Sequence, residues 1–380
     1  MCFWKKLLLF LLPFAAVFFA VSGFTLYTGE AMPLAWVVQQ QIADETVLYR
    51  PRYGNRDQQF KRLSVDMRRP EVLALGSSRI LQFRAGFFNR QPTAFYNAAA
   101  PAWRLPQVLD LLENIPPDAA PEVLILAVDL PWFNAAYAGD AFPEDRSDFD
   151  HLFDADSGLI KDVLMNVPLD RPGFRLASYL ERREPGAGGL ALGLRAIRDG
   201  HGFRGDGSEQ YGDFLIAGWL YPPNTREAHL VWMREGREMY VYGDTVSADA
   251  LAMMERLLSA AQARGITVIG FLPSYMPSLW DEMIARGDHA YMGEAARALR
   301  AMFERYGYPF FDFSDGVSTT DDEFFDGWHA SELSNLRLYI QMAEALPDIL
   351  GVYSDVASLR EIADSAGSTW AVFGMDSAPG

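Results

Sequence analysis

Cysteine is almost absent from this chain. Among 380 residues only Cys2 carries a thiol, so no disulfide can close within the chain and the redox compartment cannot be read from bridges. With no apolar run before it, Cys2 is not expected to be a processed lipoprotein cysteine. Basic residues are also scarce, 33 Lys and Arg against 50 Asp and Glu, for a net charge of −17. That balance excludes a nucleic-acid footprint, which needs a clustered basic surface. The acidity describes a solvated surface and does not identify a substrate. There is no internal repeat, and histidine occurs only five times. What is plentiful is apolar: 50% of residues are hydrophobic and 13% aromatic, which excludes global disorder. The length fits two or three domains, or one large α/β domain with an insertion.

The longest apolar run is at the N-terminus. Lys5 and Lys6 precede an uncharged stretch from Leu7 to Thr28, interrupted only by Pro13 and Gly23. This matches the ~20 residues of a membrane-spanning helix and exceeds the ~7–15 residues of a signal-peptide core. Residues 1–28 are therefore expected to be an uncleaved anchor. Lysines before the run and none just after it place the N-terminus in the cytoplasm. The body then lies on the outer, periplasmic side of the inner membrane. The alternative is a signal peptide cut at Ala20-Val21-Ser22, which leaves the body on the same side.

Residues 29–69 form a juxtamembrane segment, with a helix expected over Met32–Ile42. From Pro70 the pattern becomes regular strand–helix alternation: strands at Val72–Leu75, Ala94–Ala98, Glu122–Val128, Ile266–Leu272 and Phe310–Phe313. Helices are expected over Ile80–Phe88, Leu105–Asn114, from Ser247 or Asp244 to Arg264, from Trp280 to Tyr306 with a break at Gly287, and from Ser331 to Leu346. Alternation of this kind argues for parallel β-α-β units in an α/β domain over 70–350. Residues 135–240 break the rhythm and read as an insertion after the third strand, a lid or wall over the sheet edge. Residues 351–380 read as a peripheral tail. Asp154-Ala155-Asp156-Ser157-Gly158 loosely resembles a calcium loop but lacks its sixth-position glycine and twelfth-position glutamate, so a solvated acidic loop is expected. No cofactor or metal is expected.

The chemistry is expected where the first strand ends. Gly76-Ser77-Ser78-Arg79 follows it, putting Ser78 at the carboxyl edge of the sheet, where open α/β sheets bind ligands. An exposed serine there can be a nucleophile, although Gly-Ser-Ser also makes an ordinary turn and N-cap. A nucleophilic serine needs a base. Four histidines (His151, His201, His229, His289) lie in the insertion or on a charged helix face. The fifth, His329, follows the last strand with Asp326 three residues before it. In one turn, Asp326 can accept from Nδ1–H while Nε2 points at the serine, fixing the tautomer and stabilising the imidazolium. The competing reading is that Asp326 or Ser331 caps the next helix and His329 stays unpaired.

Taken together these stretches resemble the SGNH/GDSL hydrolases. Gly76-Ser77-Ser78 is similar to their first block, whose third residue is the nucleophile and lends its own N–H to the oxyanion hole. Asn97-Ala98-Ala99 is similar to the second block, whose small residue donates a backbone N–H. Ala127-Val128-Asp129 stands where the third block does, and Asp326-Gly327-Trp328-His329 matches the fifth block's Asp-x-x-His. The resemblance covers residues 70–134 and 244–346. It implies a flavodoxin-like three-layer sandwich around a central parallel sheet, with Ser78, His329 and Asp326 as a triad. Ser78 and Ala99 are then the backbone oxyanion donors. With an N-terminal anchor, the chain is most similar to the envelope branch, which includes the D-alanyl-lipoteichoic-acid biosynthesis protein and the alginate O-acetylation proteins. That implies action with a membrane-bound O-acyltransferase on acyl esters of envelope glycans or lipid-linked polymers.

The chain departs from the family at two positions: Ser77 replaces the family's Asp, and Asp129 replaces its third-block Asn. A carboxylate aimed at a developing oxyanion destabilises it. Either Asp129 turns away and Arg79, Asn97 or Asn134 supplies the charge or donor, or Asp129 caps the Pro131-Trp132-Phe133 turn. Asn97 could equally be a plain turn residue, and Arg79 a surface partner of Glu71. Tyr96, Trp103, Trp132 and Phe133 suit a carbohydrate or acyl chain, or a core. Two functions follow: an anchored serine esterase or O-acyltransferase, or a non-catalytic tethered scaffold or polysaccharide-binding module on a degenerate SGNH fold. A phosphate site at the Gly76-Ser77-Ser78 helix start is a third option, one that leaves Asp326 and His329 idle.

Overall fold

The computed structural model describes residues 3–101, 104–137, 147–166, 176–183, 189–212, 225–316 and 318–374. They fall into two compact units, one within Met1–Phe60, Pro143–Gly205 and Glu209–Ala217, the other within Lys61–Phe142, Asp206–Ser208 and Gly218–Gly380.

The second unit is built on five parallel strands: β1 (Val72–Leu75), β2 (Phe95–Asn97), β3 (Val123–Ala127), β4 (Thr267–Leu272) and β5 (Phe310–Asp312). Each strand end falls on or next to its expected residue. The spatial order is β2-β1-β3-β4-β5, the order of flavodoxin-like doubly wound sheets, in which ligands bind beyond the carboxyl ends of the strands. The central strands are continuous aliphatic runs because both of their faces are covered. On one face Leu73, Leu75, Leu124, Leu126 and Val268 join a core with α1 (Leu105–Asn114), α3 (Ala248–Ala263) and α5 (Tyr291–Tyr306). On the other face Phe83 stacks on Phe271 with ring centroids 5.6 Å apart, and Tyr339 of α6 (Glu332–Ala345) packs against Phe83, Phe87 and Phe88. Each large side chain taken fully out of water contributes roughly 1.5–3 kcal/mol. Among the described residues this unit also includes α2 (Thr225–Glu235), α4 (Pro277–Arg286), α7 (Val356–Ser365) and a short helix at Pro347–Leu350.

Caps formed where expected. The Ser247 hydroxyl accepts from the Ala250 N–H to start α3, and Ser331 accepts from the Ser334 N–H to start α6. The helix expected over Ile80–Phe88 did not form. Two short 3-10 turns, Ser78–Ile80 and Ala85–Phe88, stand there instead. The reason is Asn97, whose Nδ2 donates to the carbonyls of Ile80 at 2.8 Å and Phe83 at 3.0 Å. Those carbonyls would otherwise close the α-helical ladder.

The first unit holds the helix Phe3–Tyr27, which is long and apolar enough to cross a membrane and exposes most of its large apolar side chains. Where that helix ends, Ser22 and Thr25 are buried and donate to the Asp156 carboxylate. Asp156 belongs to the helix Asp148–Asn166, so residues 154–158 are helical and not the expected acidic loop. Four two-residue strands form a small sheet in the order Ala191–Leu192, Leu48–Tyr49, Gly202–Phe203, Glu209–Gln210. Just after two of these strands in sequence, the backbone N–H groups of Arg52, Tyr53 and Leu194 donate to the buried Glu30 carboxylate. Burial nonetheless pushes Glu30 up to about 7.

Candidate active site

β1 runs straight into the site. Gly76 takes φ +151°, and a Cβ there would sit 2.8 Å from the Ala127 Cβ and 3.0 Å from its carbonyl oxygen. Only glycine lets the chain leave β1 so close to β3. Ser77 then caps the next turn, its hydroxyl accepting from the Arg79 N–H. Ser78 follows as the first residue of that turn, half-buried.

The other half of the site is a tight loop after β5. Phe324 and Ala330 form an isolated bridge, and the Phe325 N–H donates to the His329 carbonyl. Within the loop, Asp326 Oδ1 accepts from the N–H groups of Trp328 and His329, both at 2.7 Å. Asp326 Oδ2 lies 2.7 Å from His329 Nδ1, and His329 Nε2 lies 2.7 Å from Ser78 Oγ. An ionised carboxylate only accepts, so the His329 proton sits on Nδ1 and Nε2 is left to accept from the serine. Asp326 is not the cap of α6; Ser331 is. The His329 side chain is 18% exposed and that of Asp326 only 2%, so the imidazole reaches solvent while the carboxylate behind it does not. Burial works to raise the Asp326 carboxyl, but the facing His329 and its N–H groups outweigh it and hold it below its ordinary value. The Phe325 ring lies flat on the imidazole, 5.1 Å between centroids at 9°. Phe325 also lines a groove of about 570 Å³ with Arg226, Glu227, Leu230, Met276 and Asp321.

The residues expected around the oxyanion are placed differently. Asp129 is buried and does not cap its turn. Its carboxylate meets Arg79 Nη1 at 3.2 Å and hydrogen-bonds the Ser77 side chain, and burial raises it against the pull of Arg79. Arg79 is no surface partner of Glu71. It is 3% exposed, donates from Nη2 to the carbonyls of Pro273 and Ser274, and is sandwiched between the rings of Tyr275 and Trp328 at 4.3 and 4.2 Å. Its Nη donors are therefore committed within the protein, and the Asp129 charge is compensated. Asn97 is also committed, through Ile80 and Phe83 and through Oδ1, which accepts from the Ala99 N–H at 3.1 Å. Ala99 thus spends the N–H expected for the oxyanion on closing its own turn. Asn134 donates to the Val241 carbonyl at 2.7 Å. Of the expected donors, the Ser78 N–H and the buried Arg79 Nε–H have no acceptor among the described residues. Tyr96 and Phe133 are core residues, Trp132 packs against that core, and Trp103 lies outside the described residues.

His229, set aside with the other histidines of the insertion, lies beside Asp326. His229 is 3% exposed, with Nε2 3.6 Å from Asp326 Oδ2. The readable signal was its face: Thr225, His229 and Met233 recur every fourth residue on α2, and all three are buried.

No family model matches the chain, and no curated protein matches it. Among solved structures the chain is similar to a candidate acylhydrolase from Bacteroides fragilis, at 10% identity with a TM-score of 0.33, covering 73% of this chain and 87% of that one. A likeness so loose carries no argument about chemistry.

Proposed function

We propose that the chain is an SGNH-like serine esterase or O-acyltransferase that works through an acyl-enzyme on Ser78. The observation that carries this reading is the unbroken chain Ser78 Oγ, His329 Nε2, His329 Nδ1, Asp326 Oδ2, with 2.7 Å at each hydrogen bond. Ser78 attacks an acyl carbonyl as its proton passes to His329 Nε2, and Asp326 stabilises the imidazolium. The Ser78 N–H faces the developing oxyanion. Collapse expels the alkoxide, which takes the proton from His329, and water or a sugar hydroxyl then resolves the acyl-enzyme after losing its proton to the same nitrogen. The groove beside Phe325 has polar and apolar walls and suits an ester with a hydroxylated portion. The helix Phe3–Tyr27 is long and apolar enough to span a membrane, and we propose a single-pass inner-membrane protein with its body outside, acting on envelope glycans or lipid-linked acyl esters beside a membrane-bound O-acyltransferase.

The second reading, a tethered polymer-binding scaffold, is favoured by the Ala99 N–H being taken by Asn97. An oxyanion hole with one donor is a weak one. Turnover of acetyl and longer acyl esters, with and without a sugar acceptor, separates the possibilities. The enzyme reading expects acyl release or transfer that is lost in Ser78→Ala. Ester turnover equal in wild type and Ser78→Ala, or none in the folded protein together with saturable glycan binding, supports the scaffold.

A further inference from the structure

Asp326 stands between two imidazoles. His329 faces it from the loop, and His229 faces it from α2 with Nε2 3.6 Å from Oδ2. Behind His229, its Nδ1 lies 2.8 Å from the hydroxyl of Tyr240, which is 1% exposed. A buried phenol needs an acceptor for its proton, and among the described residues His229 Nδ1 is the only one at the Tyr240 hydroxyl. Nδ1 therefore accepts, and the ring proton sits on Nε2, on the side of the carboxylate. Asp326 then faces four N–H groups: two backbone donors at Oδ1, the His329 N–H close to Oδ2, and the His229 N–H farther from it.

We infer that the Tyr240–His229 pair is a positioning device that holds Asp326 and tempers its pull on His329. The loop is shaped around the pair: a Cβ on Gly327 would come within 2.9 Å of the His229 Cβ and 3.1 Å of the Tyr240 hydroxyl. Trp232 packs on the imidazole, with centroids 4.8 Å apart, and closes that side. The titratable groups acting on His229 are Asp326 and His329, with Tyr240 bonded to Nδ1; Asp326, Tyr275 and Arg79 act on Tyr240. Burial lowers His229 to about 4, so it serves as a neutral dipole and not as a second cation. The positive end of that dipole competes with His329 for the charge on Oδ2. Removing it leaves Asp326 to His329 and the two backbone donors, and the bond from His329 Nδ1–H to Oδ2 strengthens. The role in catalysis rests on the proposed triad; the tautomer and its effect on His329 do not.

The test uses the full-length protein in detergent, labelled with 15N-histidine, as wild type, Tyr240→Phe and His229→Phe. Both replacements keep the bulk and remove the polar contact. Ring-nitrogen NMR is expected to show His229 neutral with its proton on Nε2 across about pH 5–8. The His329 Nδ1–H proton resonance is expected to move downfield in each variant, as its bond to Asp326 Oδ2 strengthens. A proton on His229 Nδ1 in the wild type, or a His329 Nδ1–H resonance that stays put in both folded variants, overturns the inference. Fluorophosphonate labelling of the same samples keeps the two ideas apart. A missing Ser78 adduct would sink the catalytic reading, while the NMR still decides the pair's effect on His329.

Discussion

Replacing Asp326 by asparagine removes one charge and leaves the shape alone, so its consequence can be followed atom by atom. Oδ1 of Asp326 accepts two backbone N–H groups at 2.7 Å. The asparagine oxygen must take that place, because an NH₂ group there would face two donors. The amide nitrogen then lies where Oδ2 was, 2.7 Å from His329 Nδ1. His329 has to answer by accepting at Nδ1 and moving its proton to Nε2. Ser78 Oγ now meets a donor and has lost its base. The loop keeps its two backbone bonds, so the fold should survive with only a small shift in its unfolding midpoint. A base lost through the wrong tautomer costs about 10³–10⁴ in rate, or roughly 4–5.5 kcal/mol of transition-state stabilisation. The assay is the second-order rate of fluorophosphonate labelling at neutral pH, with circular dichroism to check the fold. Labelling of a folded Asp326→Asn protein within about tenfold of wild type would refute the argument.

Arg79→Met should be among the most destabilising changes near the site. It leaves the buried Asp129 carboxylate without its partner and two carbonyls without a donor; stranding a buried charge costs about 3–5 kcal/mol. Adding Asp129→Asn should recover part of that loss in thermal melts, and strictly additive effects would argue against the pairing. In the other unit, burial raises Glu30 to about 7. A raised carboxyl favours the folded state below its unfolded value of 4.5, and that contribution fades as pH climbs through 7. The loss is about 3 kcal/mol by linkage, visible as a fall in the unfolding midpoint of this unit between pH 5 and pH 8. Glu30→Gln should flatten that slope, and an unchanged slope would contradict the assignment.

How much of this was legible in the sequence depended on how local the cause was. The sheet strands were readable because Leu73–Leu75 and Leu124–Leu126 are buried on both faces, and a continuous aliphatic run says so. Asp326 and His329 were readable as a pair because a carboxylate three residues before an imidazole can reach it within one turn. Non-local causes were not visible. The apolar spacing of Ile80, Phe83 and Phe87 promised a helix, and it took Asn97, from the next strand, to claim the carbonyls a helix needed. The same asparagine holds the Ala99 N–H that the family resemblance assigned to the oxyanion. Asp129 looked like a fault in the site until Arg79 was found folded inward beneath Trp328 and Tyr275. His229 was set aside with the histidines of the insertion or of charged helix faces, yet the periodicity of Thr225, His229 and Met233 points inward. The two-residue strands of the smaller sheet carry no alternation at all, since two residues cannot show a period.

The most direct measurement is the site of covalent modification. The full-length protein is treated with a fluorophosphonate, digested and read by mass spectrometry, alongside Ser78→Ala and His329→Ala. With Ser78 as nucleophile and His329 as its base, one adduct forms, on the peptide that carries Ser78; it is absent from Ser78→Ala and strongly slowed in His329→Ala. A folded wild-type protein that takes up no label, or a label that persists in Ser78→Ala, would contradict those roles.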